Sequence, residues 1–81
     1  MKTKVLFFAT LKDRAGTRQL VLELPDRSTV RELKTALAGR LPGLLPGLET
    51  ALIAVDREYA FDEDVIPADA EVAIFPPVSG G

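Results

Sequence analysis

The feature that most constrains the fold is one amphipathic helix signal between runs of strand-forming residues. Thr29 and Glu32 fit a capping box, in which Thr29 accepts a hydrogen bond from a backbone N–H and Glu32 accepts one in return. Apolar residues then recur at helical spacing as far as Pro42, which predicts a helix ending near residue 41: Val30, Leu33, Ala36, Leu37 and Leu41. A helix with one apolar face must bury it against another layer, so the rest of the chain should supply a sheet.

Five runs of β-branched, aromatic and aliphatic residues supply the strands of that sheet. They are Lys4–Leu11, Gln19–Leu24, Ala51–Val55, the short edge strand 59–61, and Glu71–Phe75. Gly16 suits the positive φ of a turn between the first two. The order strand, strand, helix, strand, short strand, strand predicts an α+β fold of the β-grasp, or ubiquitin-like, class. We expect a mixed sheet of about five strands packed on one main helix over residues 1–75, followed by an extended tail over residues 76–81.

A short duplication follows the predicted helix, where Leu-Pro-Gly-Leu occurs twice over residues 41–48. One interpretation is an apolar lip for a partner. The alternative, which Pro-Gly turn chemistry favours, is a loop with two tight turns and its leucines directed inward.

The composition excludes several classes of active site. The 81 residues contain no cysteine and no histidine, which excludes thiol nucleophiles, disulfides and a Ser-His-Asp triad. The formal net charge of −2 argues against binding of nucleic acid, which requires a basic face. Three consecutive carboxylates at residues 62–64 suggest a metal site, but no ligand spacing accompanies them, so a solvated turn is the better interpretation. We therefore expect a chain that other enzymes act upon.

No apolar run approaches the ~20 residues that a membrane-spanning helix needs. The short apolar run near the start leads directly into charged residues, without the small-residue cleavage site of a secretory signal. We therefore expect no membrane association and a cytoplasmic location.

The last six residues combine a stiff base with a thin tip. Pro76 and Pro77 fix φ and favour an extended exit from the sheet, whereas Gly80 and Gly81 carry no side chain and can enter a narrow channel. A terminal carboxylate on Gly81 is a poor electrophile, so a partner enzyme would have to activate it, most simply as an acyl-adenylate. The alternative is an inert end of the chain.

These features resemble the MoaD family, the small sulfur-carrying subunits of molybdopterin synthase, within the MoaD/ThiS ubiquitin-like superfamily. The resemblance is most specific at the two ends of the chain: Val5-Leu6-Phe7-Phe8-Ala9 with Leu11 and Gly16, and Glu71-Val72-Ala73-Ile74-Phe75-Pro76-Pro77-Val78-Ser79-Gly80-Gly81. The middle of the chain matches in pattern.

The resemblance implies a complete sulfur-transfer reaction. A MoeB-like enzyme adenylates Gly81 with ATP and magnesium, and a sulfur donor converts the adenylate to a thiocarboxylate. The tail over residues 76–81 (Pro76, Pro77, Val78, Ser79, Gly80 and Gly81) then enters a large, MoaE-like subunit and gives sulfur to cyclic pyranopterin monophosphate. The resemblance also implies a heterotetramer of two small and two large subunits. The carrier binds no cofactor or metal, and the catalytic residues lie on the large subunit.

Three residues outside the tail are predicted to bind partners. Phe75 is an aromatic side chain at the base of the tail and Phe8 is one in the first predicted strand, and packing in the core is the alternative for both. The resemblance also assigns Lys12, at a position where members often carry arginine; lysine keeps the charge but loses the planar fork.

Three rival functions share this layout. One is a sulfur carrier of the thiamin-pathway type, the second is a ubiquitin-like modifier that joins Gly81 to a lysine, and the third is a passive interaction module.

Overall fold

The computed structural model describes residues 1–77, which form a five-stranded mixed sheet with helices packed against one face. The strands are β1 (Lys2–Phe7), β2 (Gln19–Glu23), β3 (Leu52–Val55), β4 (Glu58–Ala60) and β5 (Glu71–Phe75), in the order β2-β1-β5-β3-β4. β1 pairs antiparallel with β2 and parallel with β5, while β3 pairs antiparallel with β5 and with β4. The strand that leads into the tail is therefore the central strand, and the β-grasp prediction is confirmed.

Within residues 1–77, four helical segments accompany the sheet, where one main helix was predicted. They are α1 (Ala9–Ala15), α2 (Val30–Arg40), a 3₁₀ turn (Pro42–Leu44) and α3 (Leu45–Leu48). Buried side chains from all four join those of the sheet in one core cluster. In the described residues 1–77, no helix has the length and apolarity needed to cross a bilayer.

The predicted start of the main helix is confirmed in atomic detail. Thr29 Oγ1 accepts a hydrogen bond from the Glu32 backbone N–H at 3.2 Å, and Glu32 Oε1 accepts one from the Thr29 N–H at 3.0 Å. The buried face of α2 comprises the predicted residues Val30, Leu33 and Leu37. This reciprocal capping satisfies two backbone donors that would otherwise lack partners, which explains why α2 begins at this point.

The prediction of a first strand extending to Leu11 is wrong. β1 ends at Phe7, Ala9 takes a positive φ of 53°, and the chain continues as α1. A short apolar run suits a strand or a buried helical segment equally well, and here Leu11 reaches the core, at 1% exposure, from the helix. The positive φ predicted for Gly16 is confirmed at 76°, where it ends α1.

The repeated Leu-Pro-Gly-Leu segment is helical, so the prediction of a loop with two tight turns is wrong. Leu44 and Leu48 are buried, as expected for inward leucines, whereas Leu45 is 55% exposed. The reason is the four-residue period, which matches one turn of helix and places equivalent positions on one side.

The two glycines of this segment lie against α1. A Cβ at Gly43 would stand 3.2 Å from the Arg14 carbonyl oxygen, and one at Gly47 would stand 3.2 Å from Leu11 Cδ2. Both distances are shorter than usual for a Cβ, so the glycines allow α1 to pack closely against this segment.

Candidate functional site

One face of the sheet carries the core and the helices, and the other, here called the open face, has no helix over it in the described part of the chain. Alternation along each strand determines which side chains lie there. In β5, Val72 and Ile74 are fully buried, while Ala73 and Phe75 are half-buried on the opposite side. Phe75 is thus outside the core cluster, and of the two placements considered for it, core packing is excluded.

The open face divides into a charged end and an apolar end. At the charged end Lys4 lies beside Glu71, with Lys4 Nζ 3.8 Å from Glu71 Oε2. Toward the tail, a row of cross-strand neighbours runs from β1 to β4: Leu6, Ala73, Ala54 and Tyr59. Together with Phe8 and Phe75 these four form what we call the apolar patch. It includes two large exposed side chains, Phe8 at 40% and Tyr59 at 73% exposure, and contiguous apolar surface of this kind marks interaction sites.

The apolar patch is concave. A groove of about 370 Å³ is lined by its six residues together with Arg57 and Glu71. The lining therefore combines an apolar floor with one basic and one acidic side chain at the rim. This combination is typical of protein interfaces, where an apolar centre is surrounded by polar groups.

Two of the predicted partner-binding residues are in direct contact at the end of this groove. The rings of Phe8 and Phe75 are stacked, with centroids 4.7 Å apart and planes inclined by 12°. The Phe8 backbone N–H also donates to the Ile74 carbonyl oxygen at 3.2 Å. The structure thus brings Phe8 to the base of the predicted tail.

Lys12, the third predicted partner-binding residue, lies on the exposed side of α1. With Phe8, it lines a second groove of about 720 Å³ between the end of β1, the start of α1 and the segment before β2. Arg18 lines the same groove, so two cations stand beside the apolar patch. The sequence interpretation did not include Arg18, because only the pairing of β2 with β1 brings it to this end of the sheet.

The structure describes the start of the tail. Pro76 is half-buried and Pro77 is exposed. The predictions for Val78, Ser79, Gly80 and Gly81 lie outside the described residues.

The acidic residues 62–64 lie elsewhere and bind the start of α2. Asp62 Oδ1 accepts a hydrogen bond from Lys34 Nζ at 2.9 Å, and Glu63 Oε1 accepts one from Arg31 Nη2 at 3.0 Å. The hydrogen bond from Lys34, with the nearby charges of Lys34 and Arg31, lowers the pKa of Asp62, and partial burial opposes the shift. Asp64 Oδ2 accepts from the backbone N–H of Phe61 at 2.6 Å. These contacts account for the carboxylates, and within residues 1–77 there is no cluster of acidic side chains suited to a metal ion.

Comparison with known proteins finds a family match and similar sequences that align over nearly the whole chain. Residues 5–81 match the model of the ThiS family. The molybdopterin synthase sulfur carrier subunit of Dictyostelium discoideum is 41% identical over 81 residues, and the alignment covers 96% of this chain and 94% of that protein. The sulfur carrier subunit of Chlamydomonas reinhardtii is 34% identical over 83 residues, with 100% of both chains covered.

Solved structures share the fold. A putative molybdopterin converting factor, subunit 1, from Pyrococcus furiosus superposes with a TM-score of 0.86 at 27% identity, covering 96% of this chain and 99% of that one. Small archaeal modifier protein 1 from Haloferax volcanii gives 0.85 at 27% identity, with complete coverage of both chains. A complex of subunits 1 and 2 of the molybdopterin-converting factor from Helicobacter pylori gives 0.71 at 22% identity, with complete coverage of both chains, which is a likeness of fold.

Proposed function

Because the chain belongs to the ThiS family, we propose that it carries sulfur as the small subunit of a molybdopterin synthase. The observation that carries the proposal is the alignment with curated sulfur carrier subunits, which continues through both ends of the chain at 34% identity in one case. The family resemblance noted in the sequence is thereby confirmed.

The reacting group in this proposal is the carbonyl carbon of Gly81. A MoeB-like enzyme joins the Gly81 carboxylate to AMP from MgATP, with release of pyrophosphate, and a sulfide equivalent from the sulfur donor then displaces AMP. The thiocarboxylate gives its sulfur to cyclic pyranopterin monophosphate, and water restores the carboxylate. Since the chain contains no cysteine, sulfur held on a terminal acyl group is consistent with its composition. The availability of ATP in the cytoplasm supports the proposed location of the cycle there.

The second part of the proposal concerns the surface that binds the large, MoaE-like subunit. The apolar patch supports this role, because it is concave, has a charged rim and lies on the side of β5 that faces away from the core. Lys12 and Arg18, beside the patch, complement acidic groups on a partner. The Helicobacter pylori structure, a complex of subunits 1 and 2 of the molybdopterin-converting factor, supports a similar pairing here. The proposed stoichiometry of two carriers and two large subunits rests on the family resemblance alone. The catalytic side chains then belong to the large subunit.

The length of the tail fits such a complex. Residues 76–81 span at most about 20 Å at roughly 3.3–3.6 Å per residue. A carrier docked through its apolar patch can therefore place Gly81 well inside its partner. The two prolines reduce the conformational entropy that ordering the tail costs.

The decisive experiment is intact mass spectrometry after incubation with the activating enzyme, MgATP and a sulfur donor. We expect one oxygen to be replaced by sulfur. The replacement should require ATP, and it should be lost when Gly81 is deleted or when one residue is added after it. A variant with an added residue that still accepted sulfur would contradict the role of Gly81. Unchanged mass with a competent, matched activating enzyme would contradict the function.

A second candidate is protein modification through Gly81. It is favoured by the similarity to small archaeal modifier protein 1, with a TM-score of 0.85. A conjugate to lysine of another protein, with no exchange of oxygen for sulfur, would identify this function. A thiamin-type carrier would exchange sulfur but would co-purify with a different acceptor enzyme in place of a large synthase subunit.

A further inference from the structure

Phe8 occupies the end of the parallel pairing between β1 and β5. The ladder runs to Phe7 beside Ile74, and the N–H of Phe8 adds one more hydrogen bond, at 3.2 Å, to the Ile74 carbonyl oxygen. The next side chains along both strands, Phe8 and Phe75, project over the open face and stack at 4.7 Å. Phe8 therefore contacts the base of the tail through both its backbone and its ring.

The backbone around Phe8 is fixed from the other side as well. Ala9, the next residue, has φ of 53°, a left-handed conformation that alanine adopts only where its surroundings hold it. Ala9 is the first residue of α1, and the buried Leu11 of this helix packs near Gly47 in the repeated segment. The duplicated Leu-Pro-Gly-Leu segment thus packs against α1, and α1 and β1 together fix the position of Phe8.

From these contacts we propose that Phe8 is a positioning residue: its ring holds Phe75 and so determines the direction in which Pro76 and Pro77 leave the sheet. The inference deepens the proposed function and rests on it. Because proline has little freedom in φ, a change in the orientation of Phe75 also changes the direction of Pro76 and Pro77. A rotation of about 10° would displace the far end of the Pro76-Pro77 segment, about 7 Å long, by roughly 1 Å.

The test is the rate of sulfur transfer from purified thiocarboxylate carriers, titrated with the large subunit and its pterin substrate. Phe8→Leu keeps an apolar side chain but removes the flat ring. We expect it to lower the rate at saturating large subunit on the order of tenfold to a hundredfold, because small misplacements of reacting groups have effects of that size. Phe8→Tyr keeps the ring and should restore the rate. If Phe8→Leu changes only the concentration that gives half the maximal rate, Phe8 is a docking contact and the inference is wrong.

A double-mutant cycle makes the test independent of any one variant. Phe75→Leu removes the stack from the other side, so Phe8→Leu and Phe75→Leu together should be little slower than either alone. If the factors by which the two single changes lower the transfer rate multiply in the double variant, the rings act separately and the proposal is overturned. Phe61→Leu, at a side chain 76% exposed and outside the apolar patch, is the matched control and should transfer sulfur at the wild-type rate.

NMR supplies a readout that does not depend on activity. The heteronuclear NOE of the Phe75 amide should fall in Phe8→Leu and recover in Phe8→Tyr, and an unchanged value would overturn the inference. The two proposals fail differently. A wild-type thiocarboxylate that transfers no sulfur contradicts the proposed function, whereas normal transfer by Phe8→Leu contradicts only the positioning role.

Discussion

Two neighbouring residues of β5 should have opposite consequences when they are truncated to alanine. Ile74 is fully buried in the core, and Phe75 is half-buried on the open face. Ile74→Ala should therefore reduce the free energy of unfolding strongly and leave the affinity of the folded protein for the large subunit unchanged. Phe75→Ala should reduce stability less and weaken binding more.

The expected magnitudes follow from the contacts of each side chain. Loss of a fully buried isoleucine costs about 2–5 kcal/mol. For Phe75, loss of the ring stack with Phe8 costs about 0.5–1.5 kcal/mol, and loss of roughly half the burial of a phenylalanine adds about 1 kcal/mol. The total of about 2 kcal/mol is below the 3–5 kcal/mol typical of a phenylalanine in a core. As an aromatic residue of the proposed interface, Phe75 should contribute at least about 2 kcal/mol to binding, or roughly a 30-fold change in Kd.

Urea unfolding and calorimetric titration with the large subunit measure the two quantities on the same preparations. Ile74→Val, which costs about 0.5–1.5 kcal/mol, is available if Ile74→Ala leaves too little folded protein. The reasoning is refuted if Phe75→Ala is as destabilising as Ile74→Ala and its folded fraction binds with wild-type affinity.

Three further changes test the energetics of the scaffold. Thr29→Ala removes the capping box and should lower the free energy of unfolding by about 1 kcal/mol; an unchanged urea midpoint would contradict this. Gly39→Ala, at an open position of α2, should stabilise the protein by up to about 1 kcal/mol. Gly43→Ala should not stabilise it, because the new Cβ would lie 3.2 Å from the Arg14 carbonyl oxygen. Equal gains in melting temperature would argue against close packing of α1 on this segment. Lys34→Met should lower stability at neutral pH, and its difference from wild type should shrink as the pH falls from about 5 through the lowered pKa of Asp62, because a carboxylate with a depressed pKa stabilises the fold only while it is ionised. A difference that stays constant in urea titrations between about pH 5 and 2 would contradict this assignment.

Strong local signals made most of the fold predictable from the sequence. The capping box of Thr29 and the apolar stripe of α2 depend on neighbouring residues, and both are confirmed. β2, β3 and β4 agree with their predicted bounds to within one residue at each end, and β5 agrees fully. The boundary between β1 and α1 was not predictable, because the apolar run gives no sign of the positive φ at Ala9.

The site was predictable at the level of residue types but not in its arrangement. Aromatic residue type indicated Phe8 and Phe75 as contact residues, yet their direct stacking depends on the parallel pairing of strands that are distant in sequence. The antiparallel pairing of β2 with β1 likewise brings Arg18 to the groove that Lys12 lines. Long-range strand pairing leaves no local pattern, so these contacts became visible only in the folded chain.

The central position of β5 has a mechanical consequence for a carrier that is gripped by its tail. β5 is hydrogen-bonded to β1 on one side and to β3 on the other, and Pro76 continues directly from its end. A pull on the tail therefore acts along the strand and loads the hydrogen bonds of both ladders in shear, all at once rather than in succession. We expect the domain to withstand repeated insertion and withdrawal of its tail without unfolding, as a carrier that cycles between partners requires.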